Sequence, residues 1–187
     1  MQDRGDGSGE HLGCGVGVDR YQLWPAAFVD GKFSVPDAVL EGLWREMERT
    51  GKHRSLFYNG LIDDVDGWIG WIKNPANYPV LVVDAVRKNI VAAGWLNNVG
   101  DGTALAHFCV FGLPRPEIGK VVLRYWSNVK ILRVLVGFTP ETNVGAVRFA
   151  EMIGFKRNGY IPRMCNMAYE GRCVGAIVTT YLTQEEA

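Results

Sequence analysis

The amino-acid sequence predicts a mixed domain of the α/β (α+β) class, with a mostly antiparallel sheet of about six or seven strands and about four helices. Three β-rich segments follow one another between residues 80 and 111 and are joined by short turns. Two strand–helix–strand passages come later, and such passages typically join parallel strands. The chain has 187 residues, 48 % of them hydrophobic, which suits one domain with a full core.

Two helices are predicted in the first half of the chain. Ser34 fits a helix cap, because Pro36 and an acidic residue, Asp37, follow it. The apolar residues after this start recur at helical spacing as far as Gly51: Leu40, Leu43, Trp44 and Met47. A second amphipathic pattern predicts a short helix from Asp63 to Ile72.

Strands dominate the rest of the sequence, interrupted by two helices. Gly100-Asp101-Gly102 is a strong hairpin signal, and Gly154 fits the end of a helix. The predicted helices cover about 118–129 and 139–153. The predicted strands cover about 24–29, 80–83, 90–96, 103–111, 132–138, 155–160 and 173–182.

Composition and charge exclude several classes of protein. Twenty basic and twenty acidic residues give zero net charge, which argues against a general nucleic-acid-binding protein. No apolar run approaches the length of a membrane span, and residues 1–18 read as a flexible, Gly-rich acidic tail rather than a secretory signal. We therefore expect a cytoplasmic protein that binds neither membranes nor nucleic acids, with one domain over residues 19–187. The four cysteines form no C-x-x-C pair, so we expect no metal site.

The most informative segment runs from Phe138 to Phe155. Asn143, Ala146, Phe149 and a Gly-Phe pair at 154–155 keep the spacing of a helix signature in the GNAT superfamily of N-acyltransferases, which the sequence resembles. The predicted element order is also similar to that of the GNAT fold, so the resemblance covers about residues 21–183. A Gly-terminated amphipathic helix of any other α/β protein would show a similar pattern.

The resemblance implies a V-shaped split between the fourth and fifth strands, where the pantetheine arm of acetyl-CoA or another acyl-CoA pairs with exposed backbone. Its first arm is Phe108–Phe111, with Cys109, Val110 and Phe111 as cofactor-binding residues, and its second is Val134–Gly137. Asn143 and the small Ala146 are implied to contact the cofactor from the next helix, together with Phe149.

The resemblance also implies that the cofactor's pyrophosphate rests on the helix that follows Phe111. Arg115, Gly119 and Lys120 are the residues expected there, and residues 110–165 carry nine basic and three acidic side chains. The family's glycine pattern is degenerate, however, because Ile118 holds the first glycine position and Pro116 has no N–H. An ordinary capped helix is the alternative interpretation.

Catalysis and acceptor binding are less defined in the sequence. Ala150 replaces the tyrosine with which many GNAT enzymes protonate the leaving thiolate, and Tyr125 and Tyr160 are possible substitutes. His107, on the predicted central strand, is the candidate general base or else a core residue. Four aromatic residues near the first two helices are candidates for an aromatic acceptor pocket: Phe57, Tyr58, Trp68 and Trp71. The alternative interpretation is that they are core residues.

The sequence therefore predicts an N-acyltransferase, most simply an N-acetyltransferase, that transfers an acyl group from acyl-CoA to a small-molecule or peptide amine by direct attack. A homodimer is possible. The alternative is a GNAT-like module that binds acyl-CoA, or another partner, and has lost transfer chemistry; Ala150 and the degenerate phosphate loop motivate it.

Overall fold

A computed structural model describes residues 20–183, and the predicted tail over residues 1–18 lies outside this range. The main sheet has seven strands in the order β1-β4-β5-β6-β7-β9-β8, and a separate two-stranded hairpin is formed by β2 and β3. The predicted mixed, mostly antiparallel fold is confirmed, with five α-helices where the sequence predicts about four.

The elements have the following bounds. The helices are α1 Asp37–Arg49, α2 Lys52–Leu56, α3 Val65–Ile72, α4 Pro116–Ser127 and α5 Val144–Ile153. The strands are β1 Tyr21–Pro25, β2 Phe28–Val29, β3 Lys32–Phe33, β4 Tyr78–Asp84, β5 Asn89–Gly100, β6 Thr103–Val110, β7 Val134–Pro140, β8 Lys156–Met167 and β9 Arg172–Leu182. A single 3-10 turn, Ala168–Glu170, connects β8 to β9.

The two larger hydrophobic cores lie on opposite faces of the sheet, because successive side chains of a strand point to opposite sides. One core packs α1 and α3 against the face that carries Leu81, Ala93 and Trp95. The other packs α4 and α5 against the face that carries Val80 and Val82. The apolar positions predicted for α1 are all buried.

Two predicted helix starts are wrong. Ser34 does not cap α1; its hydroxyl donates to the carbonyl of Pro25 and accepts from the N–H of Ala27. The helix predicted from residue 139 begins only at Val144, because Pro140 still pairs with β9. Asn143 is the true cap, and its side-chain oxygen accepts the N–H of Ala146 at 3.2 Å.

The parallel pairing of the sheet is also more limited than the sequence predicts. β6 and β7 are parallel neighbours, joined through α4. The second strand–helix–strand passage joins β7 to β8, but β9 lies between them and is antiparallel to both. β8 is longer than predicted, because pairing with β9 continues as far as Met167.

Gly119 lies on the buried side of α4, where α4 crosses α5. A Cβ atom at this position would come within 2.6 Å of Ile153 Cγ2 and 3.1 Å of Phe149 Cζ. Both side chains belong to the second core, so neither can move without disturbing it. The absence of a side chain at Gly119 therefore sets how closely the two helices approach.

We predict that Gly119→Ala lowers the free energy of unfolding by about 1–3 kcal/mol, the usual cost of overpacking a core. Gly42→Ala is the matched control, because Gly42 also lies inside a helix but its Cβ would meet open space. That change should be neutral or stabilise the protein by up to about 1 kcal/mol. Urea unfolding measures both, and equal stability of the two variants would contradict this packing role.

Candidate active site

The two central parallel strands separate after a short stretch of pairing. β6 and β7 pair at three positions, the last joining Leu105 to Val136. Beyond these, residues 106–110 of β6 keep only their antiparallel partner β5. One side of this segment therefore presents backbone N–H and C=O groups to the gap, as the predicted split between the fourth and fifth strands of the sheet requires.

The predicted cofactor residues of β6 lie along this gap. The side chain of Cys109 points into the core against α1 and α3, and burial raises the pKa of its thiol to about 12. A thiol with such a pKa is no nucleophile at neutral pH, so Cys109 can contribute its backbone only. Val110 is the last residue of β6, and the N–H of Phe111 donates to Val91 at 2.8 Å.

A lysine that the sequence analysis did not single out reaches the end of β6. Lys52 Nζ, on α2, donates to the carbonyl oxygen of Val110. This bond places an ammonium group at the open end of the gap and fixes α2 over it. The sequence pattern does not predict α2 or the position of Lys52, because α2 is five residues long and has no buried residue.

A cavity of about 470 Å³ lies at this open end. It is bordered by α2, by the end of β7, by the start of α5 and by the turn after β8. Its lining residues are Gly51, Arg54, Ser55, Tyr58, Pro140, Thr142, Asn143, Met167, Tyr169 and Glu170. The cavity therefore adjoins the gap on the side of α2, away from α4.

Asn143 lines this cavity, and Ala146 lies three residues further along the chain, inside α5; the two are bonded to each other. The oxygen of the Asn143 side chain caps α5 through the N–H of Ala146. The remaining polar group of Asn143 is its NH2, which can donate to a ligand in the cavity. Its cap function also explains the position without any ligand.

Two exposed cations flank the first turn of α4: Arg115 precedes it and Lys120 follows it. Arg115 is the residue before the helix, and Pro116 is its first residue. Free N–H groups and exposed cations at a helix start favour anions. Gly119 and Phe149, which the resemblance also placed at the cofactor, are buried between α4 and α5 instead, and Phe149 packs edge-on against Phe108.

His107 lies on β6 and is stacked against Trp95, with ring centroids 5.4 Å apart. Its Nε2 is 3.2 Å from Oδ1 of Asn97. Burial lowers the pKa of this imidazole to about 4. His107 is therefore neutral at pH 7, but such a weak base is poorly matched to the proton of an alkylammonium acceptor.

The aromatic residues predicted to form an acceptor pocket are mostly core residues. Phe57 and Trp68 are buried, and the indole N–H of Trp68 donates to the carbonyl of Leu40. Trp71 packs against Trp95 at a centroid distance of 5.1 Å. Tyr58 alone of the four lines the cavity.

Tyr58 presents a hydroxyl group at the cavity, whereas Ala150 packs against the second core and has none. Its oxygen is 3.6 Å from the Sγ of Cys165, and burial raises the pKa of the phenol above its usual range. The hydroxyl is thus protonated at neutral pH and can donate a hydrogen bond. The substitutes considered from sequence lie elsewhere: Tyr125 lines a different cavity, and Tyr160 is on the edge strand β8, bonded to Glu141.

That second cavity has a volume of about 350 Å³ and is mainly apolar. It lies beside the start of β4 and the end of α4, at the end of the sheet where β6 and β7 are still paired. Lys73, the charged residue of its lining, is bonded to Asp37 at 2.5 Å. The cavity next to the gap is therefore the better candidate for chemistry.

Metal ligands and membrane spans were sought over residues 20–183. No group of three or more His, Cys, Asp or Glu side chains in that range is placed to hold a metal ion. None of the helices in the same range is long and apolar enough to cross a membrane.

Comparison with known proteins identifies the fold. No protein-family model and no curated protein matches the sequence. Three similar solved structures are an acetyltransferase of the GNAT family from Bacillus anthracis, the ribosomal-protein-S5-alanine acetyltransferase from Vibrio fischeri, and the spermidine N-acetyltransferase from Vibrio cholerae in complex with CoA and spermine.

The similarity spans nearly the whole of each chain. In the same order, the TM-scores are 0.68, 0.65 and 0.64, and the sequence identities are 15 %, 12 % and 14 %. The matches cover 89 %, 89 % and 88 % of this chain, and 97 %, 95 % and 96 % of the others. The chain therefore has the GNAT fold, as the sequence resemblance predicts.

The lowered pKa of His107 predicts a pH dependence of stability. Between pH 6.5 and about 4, the unfolded chain binds a proton at this residue that the native state does not. The free energy of unfolding should therefore fall as the pH falls through this window. His107→Gln should reduce that slope by up to about 1.4 kcal/mol per pH unit, measured by urea unfolding. If the free energy of unfolding had the same pH dependence in the variant and the parent, this role of His107 would be contradicted.

Two substitutions at Asn143 separate its cap from a contact with acetyl-CoA. Asn143→Ala should lower the free energy of unfolding by about 1 kcal/mol, whereas Asn143→Ser keeps a capping oxygen and should lose much less. Both remove the NH2 donor, so both should weaken acetyl-CoA binding in calorimetry if that group contacts the cofactor. If the Ser variant bound acetyl-CoA as tightly as the parent, Asn143 would have only its capping role.

Proposed function

We propose that this protein is an N-acyltransferase, most simply an N-acetyltransferase, that uses acyl-CoA to acylate an amine. The observation that carries the proposal is the gap between β6 and β7, where residues 106–110 have no partner strand on one side. An extended chain of amides, such as pantetheine, can pair with this edge as an added strand would. The cavity at the open end of the gap then has room for the acceptor.

The residues along the gap fit an acyl-CoA in two ways. The free edge of β6 suits the pantetheine amides, and the NH2 of Asn143 can donate to them from the other side of the gap. The start of α4, with Arg115 and Lys120, suits the pyrophosphate. Two features weaken this fit: Pro116 removes one N–H from the helix start, and Glu117 places a negative charge in the first turn.

The acyl-CoA would supply an activated thioester. In the overall reaction the amine nitrogen bonds to the acyl carbon, the carbon–sulfur bond breaks, and the proton released by nitrogen is taken up by the CoA sulfur or by water. Two groups of this chain can assist. The Lys52 ammonium, at the end of β6, can stabilise the negative charge that develops during the reaction. The Tyr58 hydroxyl can donate a hydrogen bond to a group bound inside the cavity.

The neighbours in structure support this proposal, since all three are described as acetyltransferases and one is in complex with CoA. A second function is favoured by Ala150, which leaves the usual acid position without a hydroxyl. In that case the protein binds acyl-CoA without transferring the acyl group. The acceptor of the first function is a small-molecule or peptide amine.

Acetyl-CoA binding tests both functions. We predict that the protein binds acetyl-CoA at micromolar concentrations in calorimetry, and that Arg115→Gln weakens this binding about five- to tenfold because a phosphate contact is lost. Arg124→Gln is the matched control, since Arg124 is exposed in the last turn of the same helix, and it should change the affinity less than about twofold.

The two functions differ in turnover. Release of CoA in the presence of an amine panel supports the transferase, whereas binding with no release from any amine supports the inactive module. Absence of acetyl-CoA binding would overturn both.

A further inference from the structure

The acceptor cavity is bordered by a short basic segment, the helix α2. Lys52, His53 and Arg54 are consecutive residues of α2. The first donates to Val110 at the gap, and the third lines the cavity itself. Since α2 is held against β6 by Lys52, the backbone that carries Arg54 is fixed beside the cavity.

Arg54 is placed on an aromatic platform. Its guanidinium carbon lies 5.5 Å from the ring centroid of Tyr169, a second lining residue. The ring of His53 packs edge-on against the same tyrosine at 6.3 Å. An arginine over an aromatic face keeps its in-plane N–H donors free, and these donors match a carboxylate in a bidentate arrangement.

The carboxylates near the cavity have partners of their own. Glu170, the acidic lining residue, is bonded to Arg172 at 2.7 Å. Glu141 accepts the N–H of Gly175 at 2.8 Å and is bonded to Tyr160. Glu46 pairs with Arg49. Within residues 20–183, Arg54 has no carboxylate at ion-pair distance.

We propose that the acceptor is an amine that also carries a carboxylate, as free amino acids and small peptides do, and that Arg54 binds this carboxylate. The inference rests on the proposed function, because it assigns the second substrate of the same site. A cavity of about 470 Å³ has ample room for such a molecule. Its amine would lie toward the Tyr58 hydroxyl oxygen, which can accept a hydrogen bond, and its carboxylate on the guanidinium.

The charge of the cavity argues against a polycationic acceptor. A polyamine needs several carboxylates without partners, and the lining offers Glu170 alone, already paired with Arg172. Arg54 and the nearby Lys52 would both repel it. A zwitterion differs from a polyamine because it carries a carboxylate of its own, which can pair with Arg54.

The experiment compares matched acceptors with and without a carboxylate. Each of the twenty proteinogenic amino acids is tested beside its own carboxamide, with spermine as the polycation. The assays are release of CoA from acetyl-CoA, and equilibrium binding to the full-length protein saturated with CoA. We expect one or more amino acids to bind and react, and to be preferred over their carboxamides by about tenfold.

Arg54→Gln should remove this preference by raising the KM and Kd of the acid to those of the amide, and Arg54→Lys should restore part of it. Arg45→Gln, an exposed arginine of α1 paired with Glu41, is the control and should leave the preference unchanged. Acetyl-CoA affinity should be equal in all these variants.

The outcomes separate the inference from the proposed function. Preference for spermine or for the carboxamides, binding of no amino acid, or an undiminished acid preference in Arg54→Gln would overturn the inference while the transferase stands. Failure of the parent protein to bind acetyl-CoA would overturn both.

Discussion

The parallel contact between β6 and β7 is the constraint on which the site depends. Pairing stops after Leu105 and Val136, so the two strands separate toward the ends from which α4 and α5 continue. A sheet that stayed paired would satisfy its own backbone and leave nothing to bind a ligand. The separation creates the free edge of β6 and brings two helix N-termini to its opening. Every other candidate group is positioned relative to that gap.

Packing on both faces of the sheet holds the gap open. On one face, α4 and α5 meet at Gly119, and Phe149 wedges against Phe108 of β6. On the other face, the aromatic core under α1 and α3 continues to α2, from which Lys52 reaches Val110. Side chains of β6 are thus packed into both cores, whereas Leu135 of β7 belongs to the second. Moving β6 to close the gap would disturb its side chains in both cores.

The long, periodic elements could be predicted from the sequence, and the short ones could not. The buried positions of α1 and the turn at Asp101 follow from local pattern and appear as expected. The helix α2 has too few residues to show a period, so Lys52 and Arg54 were missed with it. Asn143 was found by its spacing, but its cap depends on Pro140 staying in the sheet, which is a tertiary effect. The aromatic residues illustrate the same limit. Phe57 is buried in the core and its neighbour Tyr58 lines the cavity, and the sequence spacing does not predict which residue does which.

The number of charges in a segment likewise does not predict where those charges lie in the folded chain or which partners they have. Residues 110–165 carry nine basic side chains, but only two of them, Arg115 and Lys120, lie near the start of α4. Arg157 is bonded to Glu151, and Arg133 to the carbonyl of Asp101. Arg54, in contrast, comes from the half of the chain with an acidic excess. What matters for a ligand is whether a charge has a partner in the folded chain, because a paired charge contributes little to an external anion. On that criterion a chain with zero net charge can present cations to both substrates of one reaction, the phosphates of a cofactor at α4 and the carboxylate of an acceptor at α2.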